Sequence, residues 1–478
     1  MTMQRSATTV AGMNSDSFQA TPPNALFRSS SIRSRCGPPA VALFRLFLIL
    51  GLVYVVAPVE NAWAIPSFAR QTGLQCNECH TIYPQLTPFG RQFKLNGYTL
   101  GDSPIYEKLS AWAQGSFNHT AKDQPGGAAP HFGDNDNFAV DQFSLFYGGK
   151  VIGKVGAFLQ GTYDGIGRVW GWDNMDVRFA NDTTIGGDPL VYGVSVNNSP
   201  GVQDLWNTTP VWSFPFDGSG LAPTPAAGTL IEGGLGQISL GASAYAMWND
   251  SLYGEAGLYH TISRGMIDTL TGDSAGTPKS DGVAPYWRLA WQQDYGSNNI
   301  SLGTFGMYAQ LFPDANKSKG SDSYTDVGLD AQYQYTGERD NVTARFSLIQ
   351  EFQDLNASAA LGAADNTSNT LRSLNTSVAY TYDSTIGLTA GAMHIWGNRD
   401  ATLYGTPDGS PDSTALTLQA DWLPFNKTPW TFYPWFNPRL SAQYVHYFQF
   451  DGSTGNVDGA GRNASDNDTL FLLMTLTF

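Results

Sequence analysis

The chain has 478 residues, 26 Lys and Arg against 41 Asp and Glu, and a net charge of −15. So acidic a surface excludes nucleic acid as a partner and favours cations. Only three cysteines and six histidines are present, so any cluster of them stands out.

Residues 1–64 read as a leader. Arg28, Arg33 and Arg35 form a basic region, and "LFLILGLVYVVA" (46–57) is an apolar run too short for a stable spanning helix. "AWA" (62–64) puts small residues at the −3 and −1 positions before Ile65. This is the layout of a secretory signal peptide, and Cys36 leaves with it. The mature chain starting at Ile65 keeps 21 basic and 39 acidic residues, and its two cysteines meet an oxidising compartment.

Residues 65–105 hold "FARQTGLQCNECHTIYPQLTPFGRQFKLNGY" (68–98). Cys76 and Cys79 are spaced for two thioethers to haem vinyl groups, and His80 follows directly as an axial ligand to the iron. Cys-x-x-Cys-His in an exported chain is the signature of haem c attachment. A thioredoxin-like pair needs a strand-helix-strand setting that is missing here, and zinc needs a fourth clustered ligand. A distal ligand would be His or Met, and neither occurs from 81 to 118. It must come from the later chain, be a weaker donor, or be absent. The candidates are His119, His131, Met175, His260, Met266, Met393, His394 and His446. Arg70, Arg91 and Lys94 are possible partners for haem propionates. About forty residues approach the size below which a domain needs a staple or a partner, so this segment is expected to plug the barrel that follows.

After residue 105 the period is two. In 324–336, Val327, Leu329, Ala331, Tyr333 and Tyr335 oppose Asp326, Asp330, Gln332 and Gln334. Sixteen such segments follow one another, near 106–117, 138–148, 153–164, 173–181, 188–197, 236–248, 251–263, 284–295, 299–311, 324–336, 339–352, 371–383, 386–397, 413–424, 436–448 and 468–478. Their connections alternate short and long, with 118–137, 198–235, 264–283, 353–370, 398–412 and 449–467 long; 425–435 exceeds the scheme. The last segment, "DTLFLLMTLTF", ends on Phe478 with apolar residues at every second position, like an outer-membrane assembly signal. Trp112, Tyr147, Trp248, Tyr295, Tyr335, Tyr382, Trp396 and Trp422 lie near strand ends, as interfacial girdles do. The expectation is an all-β fold: a 16-stranded antiparallel outer-membrane barrel over 106–478 with short periplasmic turns and long outer loops. Lumen positions carry Glu255, Asp294, Asp326, Asp330, Glu351 and Asp421 against Arg288 and Arg345. Such an excess of carboxylates draws cations, although porin lumens are polar in any case.

The motif of 68–98 followed by a porin-like barrel resembles the fused monohaem cytochrome–porin family, whose best-known members are the outer-membrane iron-oxidising cytochromes of iron bacteria. The resemblance covers the mature chain in layout and 65–100 in motif. It implies one haem c attached at Cys76 and Cys79 with His80 as axial ligand. It also implies electron transfer from extracellular Fe(II), or another donor, to a periplasmic cytochrome or copper protein. The N-terminus would lie in the periplasm or within the barrel. Three functions stay open from the residues themselves: an electron conduit, a diffusion porin with a structural haem plug, and a soluble periplasmic cytochrome with a β-rich domain.

Overall fold

The computed structural model describes residues 66–272, 274–426 and 435–478. The expected signal peptide and its cleavage site lie outside them. Sixteen strands form the wall. They are β1 (Leu109–Thr120), β2 (Asn137–Ile152), β3 (Val155–Asp164), β4 (Val169–Ile185), β5 (Asp188–Asn197), β6 (Ser239–Trp248), β7 (Leu252–Thr261) and β8 (Ala284–Tyr295). Then follow β9 (Asn298–Phe312), β10 (Asp322–Thr336), β11 (Asp340–Asp354), β12 (Ser368–Tyr382), β13 (Ile386–Gly397), β14 (Ser413–Trp422), β15 (Asn437–Gln449) and β16 (Thr469–Thr477). Each pairs antiparallel with its neighbours in sequence, and β16 returns to β1 in register Trp112↔Thr477 to Thr120↔Thr469. The terminal Phe478 exchanges both backbone hydrogen bonds with Ala111. The barrel is closed, so no strand edge is left unpaired.

The period of two sorts the side chains. On β10, Leu329 is 54% exposed while Asp326 is 1% exposed. Leu258, Leu289, Leu302, Val378, Leu388, Leu418, Leu472 and Met474 continue the outward apolar surface. With a polar interior and a greasy exterior, this barrel is inverted relative to a soluble β protein and matches a membrane-spanning one. Among the described residues no helix is long and apolar enough to cross a membrane. Trp248, Tyr295, Tyr335, Tyr382 and Trp422 face outward. Trp112 does not: it packs inward against Phe146, Phe214 and Phe216, because β1 passes the N-terminal segment and needs an apolar inner wall there.

Two pieces of chain enter the lumen. One is residues 66–105, expected there. The other is the β5–β6 connection, read from the sequence as an outer loop, which instead folds into the bore with Leu205, Trp206, Leu221, Ile231 and Leu235 all buried. The wall charges hold it. Arg288 lies 2.7 Å from Asp330 on β10 and 3.3 Å from Asp204 on the loop. Arg439 bridges Asp421 on β14 (2.9 Å) and Asp217 on the loop (3.1 Å). Asp326 accepts from the Ile231 N–H (2.9 Å) and Glu351 from the Leu230 N–H (2.6 Å). Asp326, Asp330, Glu351 and Asp421 are therefore engaged by arginines and loop backbone, whereas Glu255 accepts from the Tyr253 hydroxyl at 2.8 Å. Asp294, by contrast, is exposed and accepts from Asn299.

Candidate functional site

Three short helices build the N-terminal segment: α1 (Pro66–Thr72), α2 (Cys76–Cys79) and α3 (Pro88–Leu95). Thr87 caps α3: its hydroxyl accepts from Gly90 N–H at 3.1 Å and donates to the Glu78 carbonyl. Its own N–H donates to the Cys79 carbonyl at 2.9 Å. Pro88 at the first helical position suits the missing donor there. One residue thus locks the Cys-x-x-Cys turn onto α3. Gly90 permits the close approach, since a Cβ there would run into the Cys79 carbonyl. Phe68, Phe93 and Tyr98 pack ring against ring at 5.1–5.9 Å between centroids, a small aromatic core consistent with the apolar spacing of the motif.

The barrel wall anchors this segment. Tyr98 donates to Asp176 (2.6 Å), Tyr245 to the Leu95 carbonyl (2.8 Å), and Arg178 to the Lys94 carbonyl (3.1 Å). Gln71 donates to the Tyr98 and Leu100 carbonyls and accepts from Lys150 N–H. Gln92 reaches Asp250 in the β6–β7 turn, and Ile82 lies against Gly387 beside the β12–β13 turn. The segment therefore occupies the short-turn end, which faces the periplasm in outer-membrane barrels.

Cys76, Cys79 and His80 border one cavity, part of it open to solvent. Phe68, Phe93, Trp112, Phe146, Phe158 and Trp212 supply flat apolar walls. Neither thiol is in a disulfide, and Asn437 Nδ2 donates to Cys76 Sγ at 3.5 Å. Burial pushes the Cys79 thiol up to about 12, helped by Cys76 and Glu78. Burial also drives the His80 imidazole down to about 4, against the pull of the Pro84 and Gln85 carbonyls. Nδ1 of His80 makes no hydrogen bond, so the ring is a neutral nitrogen donor at physiological pH. Two thiols outside any disulfide, an adjacent imidazole and flat apolar walls fit a covalently held macrocycle.

The structure separates the other candidates. None of His119, His131, Met175, His260, Met266, Met393, His394 and His446 borders this cavity. His119 binds Asp136, His446 binds Asp468, His394 stacks on Trp396, and Met266 is exposed. Of the three proposed propionate partners, Lys94 borders the cavity, with Nζ donating to the Val202 (2.8 Å) and Asp204 (2.7 Å) carbonyls. Burial lowers its amine to about 7. Arg70 and Arg91 do not border it; Arg70 donates to the Glu107 carbonyl and Arg91 to Gln334. Arg439 does border it, and nothing in the sequence near Arg439 marks it. Among the described residues no group of three or more His, Cys, Asp or Glu is arranged to hold a metal ion.

No family model matches the chain, and no curated protein does. Among solved structures, an anion-selective porin from Comamonas acidovorans is similar at 12% identity and a TM-score of 0.44, over 77% of this chain and 98% of that one. OprB of Pseudomonas putida is similar at 13% identity and 0.44, over 77% and 93%. OmpT of Vibrio cholerae is similar at 11% identity and 0.40, over 77% and 96%.

Proposed function

We propose that this protein is an outer-membrane c-type cytochrome built into a porin-type barrel. It carries electrons inward from an extracellular donor, Fe(II) foremost, to a periplasmic cytochrome or copper protein. One observation carries the reading: Cys76, Cys79 and His80 share an apolar cavity at the short-turn end of a bore that two pieces of chain enter. Cys76 and Cys79 would hold a haem through two thioethers, and His80 would offer its imidazole to the iron. The aromatic walls exclude water, and Arg439 and Lys94 supply positive charge at the margin. A haem c bound there supplies a one-electron couple, so each Fe(II) oxidised delivers one electron and no atom transfer is required. The apolar band of such a membrane is about 25 Å thick, and a redox centre inside the bore shortens that gap.

A diffusion porin with a structural haem plug is the competing reading, and the barrel architecture alone is compatible with it. The 198–238 connection, with Leu205, Trp206 and Leu221 buried in the bore, narrows the path that solutes would take. The test has two arms. The outer-membrane fraction is stained for covalent haem, and the purified protein is mixed anaerobically with Fe(II) while haem absorbance is followed. Reduction is expected, together with little current in planar bilayers. Covalent haem that Fe(II) does not reduce would remove iron as donor, and absence of covalent haem would end the cytochrome reading.

A further inference from the structure

Buried arginines in the bore fall into two groups. Arg178, Arg288 and Arg439 each face a buried aspartate within 3.3 Å. Arg91 on α3 and Arg345 on β11 are 3% and 7% exposed, yet neither has a carboxylate at ion-pair distance among the described residues. Arg91 Nη1 donates to Gln334 (2.8 Å) and its Nη2 has no partner. Arg345 reaches only the Trp206 carbonyl (3.3 Å) and Gln85 (3.5 Å), and its Nη1 has no partner. The two lie on one hydrogen-bonded bridge: Gln334 donates to the Leu86 carbonyl, and Gln85 precedes Leu86. Arg345 stands opposite Gln332 in the β10–β11 ladder, the next same-face position to the Gln334 that holds Arg91. The acids that act on Arg91 are Asp294 and Asp204, and Asp204 also acts on Arg345, none of them at ion-pair distance. Asp204 already serves Arg288 and the N–H groups of Trp206, Thr208 and Thr209, and Asp294 accepts from Asn299.

Two like charges out of water with only neutral acceptors are strongly unfavourable unless an opposite charge joins them. We propose that a small anion binds between the free Nη2 of Arg91 and the free Nη1 of Arg345, fastening α3 to the barrel wall. The recognised chemistry is a halide or a single carboxylate. Neither arginine borders the cavity shared by Cys76, Cys79 and His80, which favours a free inorganic anion over a carboxylate of a group bound there. The inference does not depend on that group being haem.

The test uses the full-length protein as isolated. Amide hydrogen exchange in α3 is followed as chloride replaces gluconate at constant ionic strength, and crystals grown in bromide are examined for anomalous scattering. Expected are a saturable slowing of α3 exchange of about tenfold and a bromide peak between the two guanidinium groups. Arg345→Gln should abolish both and speed α3 exchange, while the exposed Arg399→Gln leaves them intact. The sign distinguishes the alternatives, because without an anion Arg345→Gln relieves repulsion and slows exchange. A carboxylate found at the position would support the site and identify its source. No peak, no chloride effect and slower exchange in Arg345→Gln would overturn the proposal.

Discussion

Gly90→Ala changes one hydrogen to a methyl and should act through backbone geometry alone. In an unobstructed helix the change stabilises by up to about 1 kcal/mol. At Gly90 the new Cβ meets the Cys79 carbonyl, and overpacking of this kind costs about 1–3 kcal/mol. Moving that carbonyl also strains the Thr87 N–H bond to it, now 2.9 Å, worth about 1 kcal/mol. The balance is a loss of about 2 kcal/mol, equivalent to roughly a thirtyfold rise in local opening. Amide exchange across Pro88–Leu95 in the purified barrel reads it directly, and covalent haem per polypeptide should fall with it. Gly265→Ala is the control: it sits in the helix Arg264–Thr271, where an added Cβ meets nothing within 4 Å, so exchange there should hold steady or slow. If Gly90→Ala protects α3 as the control does, the close packing of the Cys-x-x-Cys turn on this helix is wrong.

Arg288→Gln leaves Asp204 and Asp330 buried without their shared cation; breaking such a pair costs about 3–5 kcal/mol. The 198–238 connection should loosen, and single-channel conductance should rise several-fold over wild type. Leu329→Arg places a charge on the outer face halfway along β10. Refolding into vesicles with a urea titration should show a loss of about 2–4 kcal/mol, the cost at the bilayer midplane. His80→Ala keeps both thiols, so covalent haem should survive on a denaturing gel while the absorbance spectrum loses its imidazole-ligated form; an unchanged spectrum would exclude His80 as ligand.

Much of the architecture was legible because a closed membrane barrel writes itself into local pattern. Lipid demands apolar residues outside and the ladder fixes a period of two, so Val327, Leu329 and Tyr333 declare their face with no knowledge of their neighbours. The Cys76–His80 motif was legible for a similar reason, since its chemistry is confined to five consecutive residues. Trp112 was misplaced because an aromatic near a strand end has the same local pattern whether it meets lipid or an inserted segment.

The sequence by itself determined the strand count, the outward apolar face and the thiols and imidazole gathered near residue 78. Only the tertiary structure decided that the 198–238 connection turns into the bore, since its apolar residues, such as Trp206, Phe214 and Leu221, follow no regular period that says where they pack. It alone paired Arg439 with Asp217, 222 positions apart, and left Arg91 and Arg345 without an acid at ion-pair distance among the described residues. Those outcomes depend on which charges meet across a closed cylinder, and that is set by distance in space rather than along the chain.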